Sequence, residues 1–225
     1  MGPSLLTPLQ DEVLKAFFAH ETRFFLSGGG ALAGFHLGHR RTHDLDLFTL
    51  TDALDDGERT LTATAPDLGA TFELLQTSPD FRRALLRRRG EAVIIDLVRD
   101  RAVQGPAAKL SFGVVRVDPP QEILANKLCT LLSRSELRDL VDVYALERAG
   151  FPIEDALTLA QLKDGGLTPA QLSWVLSEIE LEGLPDGKIV LDEGGETEAM
   201  PTRAELMEFL ADLTRRLVVL SRPKT

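Results

Sequence analysis

An apolar triplet, Phe24-Phe25-Leu26, runs into three consecutive glycines, Gly28-Gly29-Gly30, and a later segment alternates Asp44, Asp46 and Thr49 with Leu45, Leu47 and Leu50. A short apolar run ended by glycine reads as a buried strand, and strict alternation reads as a strand with one wet face. Between them, Ala31, Leu32, Phe35 and Leu37 mark a short helix. Its last turn carries His36, His39 and Arg40, cations that a helix C-terminus favours. Successive side chains of a strand point to opposite faces. The two aspartates therefore share one face of a sheet, and the leucines beside them enter the core.

The rest of the chain sorts into two regions. Before the triplet, Thr7-Pro8-Leu9-Gln10 is a capping signature for a helix, and Leu9, Val13, Leu14, Phe17 and Phe18 follow at helical spacing. After the alternating strand, the pattern predicts a helix over 54–65 and strands over 70–76, 81–88, 92–98 and 113–117. Asp118-Pro119-Pro120 ends the sheet. From there on the periodicity is helical: 120–133, 136–149, 153–164, 169–181 and 203–220. Thr168 and Thr202 each open a further capping signature. Residues 183–201, rich in glycine and acid, read as a loop or weak hairpin. The expected class is α+β, with an N-terminal mixed-sheet core over 1–118 and a C-terminal helical domain over 119–225.

Composition removes whole classes. With 225 residues, 44% of them apolar, the chain buries roughly 70% of its unfolded surface without any staple. It is too apolar for an acidic disordered protein. A single cysteine, Cys129, excludes an internal disulfide framework and fits a reducing cytoplasm, where the cysteine serves as a small core residue. The N-terminus has no basic, apolar signal pattern, and no run approaches the ~18 apolar residues of a membrane span.

The net charge of −10 speaks against a nucleic-acid partner, because phosphate recognition runs on Lys and Arg. Its distribution changes that inference. Residues 1–149 carry only −3 of it, and residues 150–225 carry −7. Arg82, Arg83, Arg87, Arg88, Arg89, Arg99 and Arg101 crowd into one stretch of the first region. Such a strip is either a phosphate-facing surface or the charged edge by which sheets avoid aggregation.

The residues suited to chemistry gather in the same region. Asp44 and Asp46, on one strand face, repel each other unless a cation lies between them. Hard, oxygen-seeking Mg²⁺ suits the pair, the more so when substrate phosphates complete its shell. Asp96 is the single acid in the apolar strand AVIIDLV, a costly place for a carboxylate unless it is paired or metal-bound. It is either the third ligand of a two-ion site for phosphoryl or nucleotidyl transfer or the ion-pair partner of a nearby arginine. Gly28, Gly29 and Gly30, between a strand and a helix, expose backbone N–H groups to an anion. Arg40 and Arg41 lie within reach of phosphates. His36, His39 and His43 lack the further ligand that a zinc set needs.

These motifs resemble the AbiEii/AbiGii toxin family of the polymerase-β-like nucleotidyltransferase superfamily. The resemblance rests on Gly28-Gly29-Gly30-Ala31-Leu32, on His39 through Phe48, on Asn126-Lys127-Leu128 with Arg134, and on Arg138-Asp139-Leu140-Val141-Asp142. It covers roughly residues 20–150. It implies Mg²⁺ on Asp44 and Asp46, with Asp96 as third ligand or base. It gives Lys127 and Asp142 contact with nucleotide or acceptor, and places Asp139 in the nucleotide site. Independently, Lys127 lies among Leu124, Leu128 and Leu131, a setting that calls for a buried anion partner or a snorkelling tail. One departure stands out: the superfamily usually places Ser or Thr beside the glycines, where this chain has Gly29 and Gly30, with Ser27 before them.

The implied function is NMP transfer from an NTP to an acceptor hydroxyl. The resemblance implies a toxin of a toxin–antitoxin or phage-defence system, with an antitoxin partner and tRNA or another RNA as acceptor. Two alternatives remain open from the sequence. One is an aminoglycoside-type transferase whose cationic substrate suits the acidic helical region. The other is a module that binds nucleotide without turning it over.

Overall fold

The structure, a computed structural model, describes residues 3–191 and 200–222. The chain is α+β and forms two compact units. One comprises Met1–Arg101 and Ala107–Pro119, the other Ala102–Pro106 and Pro120–Thr225.

The first unit begins with α1 (Pro8–His20). Its capping box is formed: Gln10 N donates to Thr7 Oγ1 (3.2 Å) and Thr7 N donates to Gln10 Oε1 (2.8 Å). Strand β1 (Phe24–Ser27) leads directly into α2 (Gly28–Ala31), a single turn continued by a π-helical turn over Leu32–His36. The glycines are thus the first turn of the helix itself. His39 and Arg40, expected in its last turn, lie beyond it in the irregular segment before β2 (Asp44–Thr49). Helix α3 (Leu54–Thr64) follows, then β3 (Thr71–Ser78), β4 (Phe81–Arg88) and β5 (Glu91–Arg99). The strand expected over 113–117 is a hairpin of β6 (Leu110–Phe112) and β7 (Val115–Val117). Gly113, at φ +62°, makes its turn, a conformation that costs glycine nothing.

The seven strands form one mixed sheet in the order β3-β4-β5-β2-β1-β7-β6. Strand β2 pairs antiparallel with β1 and parallel with β5, placing Leu45 opposite Ile95 and Leu47 opposite Leu97. These four side chains are fully buried on one face of the sheet. Phe17 of α1 packs edge-on against Phe18 and Phe24, with centroids 5.4 and 5.3 Å apart. The opposite face carries Asp44, Asp46, Ile94 and Asp96. One core therefore fixes the register that displays the carboxylates, since a one-residue slip would exchange the faces.

The second unit is helical: α4 (Pro120–Arg134), α5 (Leu137–Arg148), α6 (Ile153–Lys163), α7 (Pro169–Ser177) and α8 (Arg203–Leu220). Helix α7 stops short of the expected 181. The Ser177 hydroxyl donates to Trp174 O (2.6 Å), and the next amides turn to i−3 carbonyls, so the regular ladder ends. Arg216 of α8 ties α5 to α6 by reaching Glu147 (2.6 Å) and Glu154 (2.7 Å). Residues 102–106 join this unit because Gly105 N donates to Glu122 Oε2 (2.8 Å), whose carboxylate also faces Lys163 at 2.5 Å. Of the loop expected over 183–201, residues 192–199 lie outside the described residues. Lys188 forms an isolated antiparallel bridge with Thr202. No helix among the described residues is long and apolar enough to cross a membrane.

Candidate active site

The β1–β2 pairing sets Ser27 opposite Asp46, so the chain turns into α2 directly beside that carboxylate. Gly28 sits at φ +61°, and a Cβ there would overlap Asp46 Oδ2. Glycine at this position is thus required twice, by the backbone and by the neighbour. A Cβ on Gly29 would stand 3.0 Å from Arg40 Nη2 and 3.2 Å from Thr42 Oγ1; on Gly30 it would meet Leu26 and Leu45 at 3.2 Å. The contact is prohibitive at Gly28 and tight at Gly29 and Gly30, where a neighbouring side chain would have to shift by a few tenths of an ångström.

Thr42 Oγ1 donates to Asp44 Oδ1 (2.6 Å) and orients that carboxylate. The segment carrying Thr42 is itself anchored, since Gln10 Nε2 donates to the Thr42 carbonyl (2.8 Å). The two neighbouring arginines have different environments. Arg40 is buried and donates from Nη1 to Arg41 O (3.0 Å), whereas the Arg41 side chain is exposed. Asp44 and Asp46 share one strand face with no side chain rising from Gly28 between helix and strand. This donor set fits a hard divalent cation.

Asp96 joins the cluster through parallel register, directly opposite Asp46. It is 5% exposed, and both its oxygens are occupied. Arg83, opposite it on β4, donates from Nε to Oδ1 (2.8 Å) and from Nη2 to Oδ2 (2.7 Å). The Asp96 hydrogen bond raises the Arg83 guanidinium above its usual range, and the charges of Asp44 and Asp46 add to the effect. Arg83 is thus the ion-pair partner of Asp96. Among the described residues no group of three or more His, Cys, Asp or Glu is placed to hold a metal ion. Asp44, Asp46 and Asp96 nevertheless share one face of adjacent strands. The histidines form no metal set either: His36 Nε2 lies 2.7 Å from Asp118 O, and burial holds its pKa below the usual value.

Lys127, Asp139 and Asp142 form a second cluster, within the helical unit. Lys127 Nζ lies 2.8 Å from Asp139 Oδ1 and 2.6 Å from Asp142 Oδ2. Arg134 donates from Nε to Asp139 Oδ2 (2.8 Å). Both carboxylates are fully buried. Burial alone would raise the Asp139 pKa, but the charges and hydrogen bonds of Lys127 and Arg134 outweigh it and hold the carboxyl below its ordinary value. The anion that a core-facing lysine requires is thus supplied by the next helix, at a spacing of three residues that puts both aspartates on one face.

Apart from Arg89, the arginine strip is charge-compensated. Arg82 pairs with Asp55 and Glu58, Arg87 with Glu73, Arg88 with Glu12 and Glu91, Arg99 with Asp52 and Asp80, and Arg101 with Asp80. Sequence reasoning singled out the strip as a whole and missed Arg83 as a member of the acidic cluster. The signal was present in two adjacent strands of opposite charge character, and only their register selects Arg83 from its neighbours.

Residues 12–215 match the profile of the AbiEii family, described as a nucleotidyl transferase toxin of a type IV toxin–antitoxin system. Two solved structures have a similar fold. MenT4, a nucleotidyltransferase toxin from Mycobacterium tuberculosis, aligns at a TM-score of 0.63 and 16% identity, covering 96% of this chain and 83% of that one. JHP933 from Helicobacter pylori aligns at 0.57 and 18% identity, covering 95% of each chain. No curated protein matches the sequence significantly.

Proposed function

The chain belongs to the AbiEii family of nucleotidyltransferase toxins, and from that premise we propose that it transfers a nucleoside monophosphate from an NTP to an acceptor hydroxyl, with Mg²⁺ held by Asp44 and Asp46. The observation that carries this reading is the carboxylate pair on one face of β2, pressed against a glycine turn. A divalent cation held by Asp44 and Asp46 would supply positive charge that stabilises the charge developing during transfer. Gly28, Gly29 and Gly30 form the first turn of a helix, where backbone N–H groups have no preceding turn to bond to and suit phosphate oxygens. Arg40 and Arg41 add positive charge to the same approach. The acceptor hydroxyl oxygen attacks the α-phosphorus and its proton passes to solvent, the bond to the bridging oxygen breaks, and pyrophosphate leaves.

Lys127, Asp139 and Asp142 keep the nucleotide or acceptor contacts that the family resemblance implies, and they lie together in one cluster. The acceptor is tRNA or another RNA, and the chain acts in the cytoplasm as the toxin of a toxin–antitoxin or phage-defence pair. The exposed members of the arginine strip, Arg87 and Arg101, need not be bare to serve an RNA, because exposed ion pairs are worth only ~0–1 kcal/mol and exchange readily for phosphate. Incubation with Mg²⁺, each labelled NTP and total tRNA tests the reading. Label should enter the RNA with one or more NTPs and vanish in Asp44→Ala and Asp46→Ala. Absence of transfer from every NTP, or variants that match the wild type, would sink it.

A further inference from the structure

Asp96 stands where a third metal ligand would, yet its oxygens are taken by a side chain from the neighbouring strand. The bidentate Nε and Nη2 contacts of Arg83 use one edge of the guanidinium. Nη1 makes no hydrogen bond among the described residues, and the Arg83 side chain is 41% exposed against 7% for that of Asp96. A second contact steadies it: the guanidinium carbon lies 5.6 Å from the centroid of the Phe81 ring, two residues along the same strand face. Held at its inner edge and open at its outer edge, the group is preorganised to receive an anion.

We propose that Arg83 is the resident cation of this acidic cluster: it takes the place of a second metal ion at Asp96, donates from its outer edge to the nucleotide's phosphate oxygens, and leaves a single divalent cation to Asp44 and Asp46. Asp96 is then a positioning residue that aims Arg83. The inference deepens the nucleotidyltransferase reading and rests on it.

Mn²⁺ binding, followed by electron paramagnetic resonance, separates the two. The probe is Mn²⁺ alone and Mn²⁺ with an α,β-methylene analogue of the NTP that supports transfer. Wild type should hold one Mn²⁺ per chain in both cases. Removing the pair as a unit, in Arg83→Gln/Asp96→Asn, should leave Mn²⁺ affinity within about threefold of wild type. Arg83→Gln alone frees Asp96 and should tighten Mn²⁺ binding or add a second ion. It should also raise the KM for the NTP about 10- to 100-fold, the value of a lost charge-assisted hydrogen bond, with Arg83→Lys intermediate. Two ions on the wild type, or a loss of tenfold or more in Mn²⁺ affinity for the double variant, overturns the proposal while transfer to RNA stands. Absence of both Mn²⁺ binding and transfer in the wild type overturns the functional reading and this one with it. The wild-type stoichiometry decides even if a variant fails to fold.

Discussion

Gly28→Ala separates backbone strain from damage to the acidic pair, because the chain supplies its own control. Gly28 and Gly113 have nearly the same φ, +61° and +62°. An added Cβ meets nothing within 4 Å at Gly113, whereas at Gly28 it falls under 3.0 Å from Asp46 Oδ2. Left-handed backbone costs an L-residue roughly 1–2 kcal/mol. Both Gly113→Ala and Gly28→Ala should therefore lower the melting temperature by ~2–8 °C for a chain of this size. Only Gly28→Ala forces the Asp46 carboxylate to rotate away from α2 and out of its alignment with Asp44. A divalent ion that loses one of two carboxylates forfeits several kcal/mol of charge stabilisation, which corresponds to ~10²–10⁴ in rate. The assay pairs thermal melts with Mn²⁺ affinity and NMP transfer. The expected result is a similar loss of stability in both variants, with metal affinity and transfer collapsing only in Gly28→Ala. Metal affinity preserved in Gly28→Ala would refute the placement of Asp46 at the metal.

The remaining expectations concern the helical unit and its cysteine. Lys127→Met leaves Asp139 and Asp142 buried without their shared cation and should cost about 3–5 kcal/mol in urea unfolding. Asp139 has its pKa depressed in the folded state, so its contribution to stability is complete above the ordinary carboxylate range and is lost as pH falls through the depressed value. Asp139→Asn should lower stability at neutral pH and flatten the acid limb below about pH 4, read by denaturant midpoints across pH. Burial pushes the Cys129 thiol up to about 11, so iodoacetamide at pH 7.5 should label the native chain far more slowly than the unfolded chain.

Much of this molecule is legible along the chain. Alternation in residues 44–50 announces a strand with a wet aspartate face, and the capping boxes at Thr7 and Thr202 form as their sequences require. These features are local: periodicity and caps depend on neighbours a few residues away, so the sequence states them directly. The motifs spread along the chain also named its family. The placement of the glycines in α2 was less legible, because a glycine run reads as a turn until the neighbours that crowd it, Asp46, Arg40 and Thr42, are known.

What only the tertiary structure decided is who partners whom. Seven arginines crowd near Asp96 in sequence, and the register of β4 on β5 chooses Arg83. The parallel register of β2 on β5 puts Asp96 opposite Asp46 across a separation of fifty residues. Lys127 announced its need for an anion from its apolar surroundings, and the packing of α4 on α5 named Asp139 and Asp142. The physical reason is the same in each case. An apolar face stabilises whatever register buries it, and charged side chains then find the partners that register leaves beside them. Composition therefore determined that this chain would fold and where its acids would gather. Strand register determined which arginine would face one of those acids.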